Sequence, residues 1–210
     1  MKTLTLIFAL CLTQWMQAND YETIMQQNIT QLYQTTDISM INQIAAGFQR
    51  IADVEKDEWL PLYYVAYAYA RSTHFITDAD SIDLQLDKAQ LALKQLVSSK
   101  SDESEVYALQ ALVYSLRITN PMRGYKYSSL SNEALAKAEQ LNAANPRIYY
   151  CKANNIYHTP KMFGGGKEKA QPLYEKAAEL FASCKHPNQL WPTWGSIHNK
   201  VMLDKCLASE

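Results

Sequence analysis

SIDLQLDKAQLALKQLV, residues 81–97, carries the period that decides the fold. Ile82, Leu86, Ala89, Leu93 and Leu96 follow one another at steps of four, three, four and three, so they share one face of an amphipathic helix. The same period runs through most of the chain, and no stretch sustains the strict alternation of a half-buried strand. The sequence therefore predicts an all-α protein. Turn residues stand between the periodic stretches: Thr35 to Asp37, Lys56-Asp57, Thr77 to Asp80, Ser98 to Asp102, Asn120 to Gly124, Asn145-Pro146, Pro160 to Gly166 and His186 to Asn188. They divide the chain into about nine helices.

Ahead of these lies MKTLTLIFALCLTQWMQA, residues 1–18, with Lys2 as its one charge, an apolar run from Leu4 to Leu12 and the small Ala18 at its end. This is the pattern of a secretory signal peptide, so residues 19–210 are expected to be exported to the periplasm or secreted. The apolar run is shorter than the ~20 residues of a membrane span and nothing comparable follows it, so the exported part is expected to be soluble. Cys11, inside the run and preceded by Leu10, makes a poor lipid-attachment site. Removing the leader takes away Lys2 and no acid, which moves the formal charge from −1 to −2. Nucleic acid and anionic membrane surfaces select clustered positive charge, which this chain lacks, so neither is expected as a partner. Export permits disulfides, but Cys151, Cys184 and Cys206 are three, so one at least stays unpaired in a monomer. If a bridge forms, antiparallel packing favours Cys151–Cys184.

The helices repeat in pairs. Second helices carry Ile44, Phe48, Ile51; Ala89, Leu93, Leu96; Ala134, Ala138, Leu141; and Ala170, Tyr174, Ala177. First helices carry a large residue, a small one four later and an apolar or aromatic one three beyond: Leu62, Ala66, Tyr69; Tyr107, Ala111, Tyr114; Tyr149, Ala153, Ile156; and Trp191, Gly195, His198. Hairpins of this kind stack because none can bury its apolar face alone. The two spacings resemble the tetratricopeptide repeat, W-x2-L-G-x2-Y followed by A-x3-F, in a degenerate form whose period exceeds the ~34 residues of the standard unit. WPTWGSIH, residues 191–198, fits the first half, and AQPLYEKA, residues 170–177, the second. The resemblance implies a right-handed superhelix of stacked antiparallel hairpins. PKMFGGGKEKA, residues 160–170, also looks like short exported repeat proteins of bacterial envelopes, including subunits that accompany solute transporters.

Gly164-Gly165-Gly166-Lys167 invites a phosphate-binding reading, which its context refuses. A P-loop needs Gly-x4-Gly-Lys-Ser/Thr after a buried strand; here Glu168 follows the lysine and the preceding segment is helical. The glycines read instead as a reversal between two helices, where positive φ is needed. Ser196 and His198 lack the nucleophile elbow and lie two apart on a helix, pointing in different directions. His74, His158, His186 and His198 form no zinc pattern, and neither the histidines nor the late cysteines supply four convergent ligands. The acids of DVEKDE, residues 53–58, and SDESE, residues 101–105, sit where they cap helix starts. Neither catalysis, a metal nor a cofactor is expected.

In the tetratricopeptide family the first helix of each hairpin lines the concave face. Carried onto this chain, the third such helix offers Arg147, Tyr150, Asn154 and Tyr157 at steps of three, four and three. Neighbouring helices add Tyr63 and Tyr67, Glu105 and Leu112, and Ser196 and Asn199. Two readings fit these residues: a polar and aromatic groove for a peptide or partner protein, or tyrosines packed between helices. The resemblance implies an exported scaffold or adaptor binding a peptide or protein, with a small-molecule-binding or transporter-accessory module as the alternative.

Overall fold

The computed structural model describes residues 20–208, so the leader read in residues 1–18 lies outside the described residues. Helix starts are marked by side chains that take up free backbone N–H groups. Asp37 accepts from Met40 N at 2.9 Å before α2 (Ile38–Val54), and Asp78 from Ser81 N at 2.8 Å before α4 (Ala79–Ser99). Glu103 caps α5 (Ser104–Leu116), and Asn145, ahead of Pro146 in the first turn, caps α7 (Pro146–His158). With α1 (20–34), α3 (Leu60–Ser72), α6 (Gly124–Leu141), α8 (Lys167–Ser183) and α9 (Ser196–Leu207), nine α-helices and no strand occur among the described residues. None of those helices is long and apolar enough to cross a membrane.

Consecutive helices pack as antiparallel hairpins, α3 on α4, α5 on α6, α7 on α8, and the first helices α3, α5 and α7 also touch one another in order. The hairpins therefore form a stack with a face of first helices and a face of second helices. The period read at residues 81–97 is the core period: Leu86, Ala89, Leu93 and Leu96 are fully buried or nearly so. The small residues Ala66, Ala111 and Ala153 are likewise without exposure, which lets neighbouring helices approach closely.

Short 3-10 turns reverse the chain within each hairpin, at Thr73–Phe75, Pro121–Arg123 and Lys161–Phe163. After the last, Gly164 and Gly166 adopt φ of 88° and 110°, and a Cβ on Gly165 would lie 2.0 Å from the Thr159 carbonyl oxygen. The amides of Gly164, Gly165 and Gly166 donate to Lys161, Pro160 and Ile156, so they close the turn and face no anion site. Pro172 sits in the second turn of α8.

The last repeat departs from the sequence expectation. The helix expected to begin near Trp191 begins at Ser196: Pro192 interrupts the preceding segment and Gly195 holds φ at 100°. The letters of WPTWG satisfy the repeat spacing, yet their backbone is not helical and their tryptophans turn inward. Cys151, Cys184 and Cys206 are free thiols, and burial pushes that of Cys151 up to about 12.

Candidate binding face

The face of first helices is crossed by the chain's own segment Leu190–Gly195. Tyr64 Oη donates to the Leu190 carbonyl at 2.9 Å. Arg147, with 1% of its surface exposed, donates through Nη1 to Glu105 Oε1 at 2.8 Å and through Nη2 to the Pro192 carbonyl. Trp194 gives its indole N–H to Tyr63 Oη at 2.7 Å, stacks on Tyr67 with centroids 5.8 Å apart, meets Tyr150 edge-on at 6.1 Å and lies under the Arg147 guanidinium at 5.2 Å. Trp191 meets Trp59 edge-on at 5.4 Å. A buried guanidinium is tolerated here because a carboxylate and a carbonyl receive it. Burial pushes the Glu105 carboxyl up and Arg147 opposes that shift. Gly195 admits no side chain: a Cβ would meet Phe181 at 3.0 Å and Tyr150 at 3.4 Å.

The residues expected to line a groove thus fall into two groups. Tyr63, Tyr67, Arg147 and Tyr150 gather around Pro192 and Trp194 and are buried, as is Glu105. Asn154 and Asn199 meet on Tyr174 of α8: Tyr174 Oη donates to Asn154 Oδ1 at 2.9 Å, and Asn199 Nδ2 donates to the Tyr174 carbonyl at 2.9 Å. Asn199 is buried by this contact, whereas Asn154 and Tyr157 are half-buried, Tyr157 packing on Tyr174 and His158. Ser196 is half-buried at the start of α9.

Beyond Trp194 the face leads through Tyr150 to His198. His198, in the first turn of α9, shares a hydrogen bond of 2.9 Å between Nδ1 and Tyr150 Oη, with the rings at 90°. Desolvation pushes its pKa down, and the nearby charges of His74, Lys205 and His158 push the same way, so both other imidazoles lie within electrostatic reach of His198. Burial and Arg71 likewise lower His74. All three rings keep an exposed surface. Apolar side chains flank them in the open, Phe75 beside His74 under the Arg71 guanidinium, and Ile197 and Val201 beside His198. Among the described residues no cluster of three His, Cys, Asp or Glu is close enough to hold a bare metal ion.

No model of a known protein family and no curated protein sequence matches the chain. Among solved structures, the HusA haemophore from Porphyromonas gingivalis superposes with a TM-score of 0.79 at 31% identity, over 89% of this chain and 92% of that one. That protein is helical, as this one is, and its name supplies no support for the tetratricopeptide assignment. With that identity held along nearly the whole of both chains, the chain belongs to the family of the HusA haemophore.

Proposed function

We propose that the chain is an exported porphyrin-binding protein, a binding module and not an enzyme, that takes haem or a related macrocycle at the open end of its first-helix face. The observation that carries this reading is the near full-length similarity to a haemophore, a protein named for carrying haem. The residues fit the group. A porphyrin asks for apolar contact with its ring, cations near its propionates and, where iron is present, a donor such as an imidazole. Phe75, Ile197 and Val201 offer the first, Arg71 and Lys205 the second, and His74, His158 and His198 the third. Tyr150, Asn154 and Tyr157 support this end from beneath; Tyr63, Tyr67, Arg147 and Asn199 hold the scaffold that places it.

A peptide or protein in the groove, the reading that the repeat resemblance favours, has less room. Leu190, Pro192 and Trp194 already take the hydrogen bonds and stacking positions that such a partner would use. The test is an absorbance titration of the chain from Asn19 onward with haemin, run beside a fluorescence titration with metal-free protoporphyrin. A saturable one-to-one change in the haemin Soret band is expected, and the metal-free arm separates recognition of the ring from ligation of iron. Absence of saturable binding in both arms overturns the reading.

A further inference from the structure

Four of the six most exposed large apolar side chains are gathered on one edge of the stack. Met122 is 94% exposed, Tyr125 90%, Met162 82% and Phe163 71%; Met122, Met162 and Phe163 stand on the turns that follow α5 and α7, and Tyr125 in the first turn of α6 beside them. The up-and-down order of the hairpins puts those two turns, and the turn after α3, on the same edge. Contacts join them there: Arg123 Nη1 donates to Asp83 Oδ2 of α4 at 2.8 Å, and Ser115 near the end of α5 bonds Asn155 near the end of α7 at 2.7 Å.

Charge divides the same way. The turns of this edge and the residues next to them bring Arg117, Arg123, Lys126, Lys161, Lys167 and Lys169 against Asp78, Asp80, Asp83, Asp87 and Glu168, with Asp83 and Asp87 paired to the two arginines and Glu168 to Lys161. The turns of the opposite edge bring Asp53, Glu55, Asp57, Glu58, Asp102 and Glu103 against Lys56, Lys100 and Lys185. The two edges of a chain with formal charge −1 therefore differ: around the α5–α6 and α7–α8 turns cations outnumber acids beside the exposed apolar side chains, while the opposite edge is acidic. The linear sequence hides this, because the cations come from turns some 40 residues apart and meet only in the folded stack.

We propose that the α5–α6 and α7–α8 turns form a docking edge for an anionic lipid surface, with Met122, Tyr125, Met162 and Phe163 entering the headgroup and acyl boundary and the flanking lysines meeting lipid phosphates. Lysine stems lie along apolar surface while their heads stay wet, and an aromatic with a polar tip suits the interface. Apolar groups on the tips of two narrow turns press into a yielding surface; a rigid protein partner would call for a flatter patch around a central pocket. The proposal is independent of porphyrin binding, since it uses neither the histidines nor the segment Leu190–Gly195.

The experiment is co-sedimentation of the chain from Asn19 onward, which carries every described helix, with vesicles of phosphatidylglycerol and phosphatidylcholine and with vesicles of phosphatidylcholine alone, in the absence of haem. The parent is expected to sediment with the anionic vesicles only, and to be released as salt rises from ~0.05 to ~0.5 M. Lys126→Glu with Lys169→Glu should lower partitioning at least about 25-fold, about fivefold per lysine. Met122→Ser, Met162→Ser and Phe163→Ser together should lower it at least about tenfold. These side chains are solvent-exposed, so helical circular dichroism and the melting temperature should not move, and Val54→Ser on the acidic edge should partition as the parent does. A parent that stays in the supernatant, that binds both vesicle types equally, or whose turn variants sediment unchanged overturns the proposal; the first outcome would leave the edge to a protein partner.

Discussion

Replacing Trp194 by alanine removes the residue on which the segment Leu190–Gly195 is fastened. Trp194 is 6% exposed, stacked on Tyr67 and bonded to Tyr63. A buried tryptophan withdraws ~200 Å² from water, which at ~25 cal/mol per Å² corresponds to about 5 kcal/mol. Measured costs of deleting buried aromatic side chains run to ~3–5 kcal/mol once partial collapse of the cavity is included. We therefore expect Trp194→Ala to cost ~4 kcal/mol, a large share of a domain's stability of ~5–15 kcal/mol. Trp194→Phe keeps a ring against Tyr67 but loses the N–H, and should cost ~1–2 kcal/mol. Tyr63→Phe strands that N–H in the core, and should cost a similar amount. Combined, the two changes should cost less than their sum, with a coupling of about 1 kcal/mol. Urea unfolding followed by far-ultraviolet circular dichroism measures the parent and all four variants without depending on tryptophan emission. A cost below ~1.5 kcal/mol for Trp194→Ala, or a coupling indistinguishable from zero, would refute the assignment of this segment to the core.

Two further outcomes follow from local geometry. Gly165→Ala forces a Cβ to within 2.0 Å of the Thr159 carbonyl oxygen, so the turn must open; a loss of at least ~2 kcal/mol is expected by urea unfolding, whereas Gly124→Ala, which meets no atom within 4 Å, should be neutral or slightly stabilising. His74 and His198 are both shifted below the ordinary histidine value of 6.5, which means that the unfolded chain binds their protons more readily. Their contribution to stability is complete above pH 6.5 and is lost as pH falls from there through the lower folded values. The melting temperature should drop over that window, and His74→Asn with His198→Asn should flatten the drop; an undiminished slope would contradict it.

How far the sequence could be read depended on whether the signal was local. Helix period and caps are local, and the alternation of Leu86, Ala89, Leu93 and Leu96 or the pairing of Asn145 with Pro146 needs no knowledge of the rest of the chain. The triple glycine was legible for the same reason, since a helix on either side and Glu168 after the lysine leave it only a turn to make. The segment WPTWG was not, because its spacing imitates a helical repeat while Pro192 and Gly195 disturb the backbone, and only the tertiary partners Tyr63, Tyr67 and Arg147 decide where its rings go. The stripe Arg147, Tyr150, Asn154, Tyr157 was placed on one helix, but the sequence left open whether it met solvent or protein; in the fold Arg147 and Tyr150 are buried against the chain's own segment. The approach of His74 and His158 to His198, and the meeting of cations from two distant turns, belong to the stacking of hairpins and leave no mark within any one of them.

The measurement closest to the central claim is a residue-by-residue map of porphyrin contact by nuclear magnetic resonance, adding diamagnetic protoporphyrin to the isotope-labelled chain from Asn19 onward. The account predicts saturable shifts at Phe75, Tyr157, His158, Ile197, His198 and Val201, with His186 and the acidic turns at residues 55–59 and 100–103 unmoved. Shifts confined to other surfaces, or none at a porphyrin excess, would contradict it.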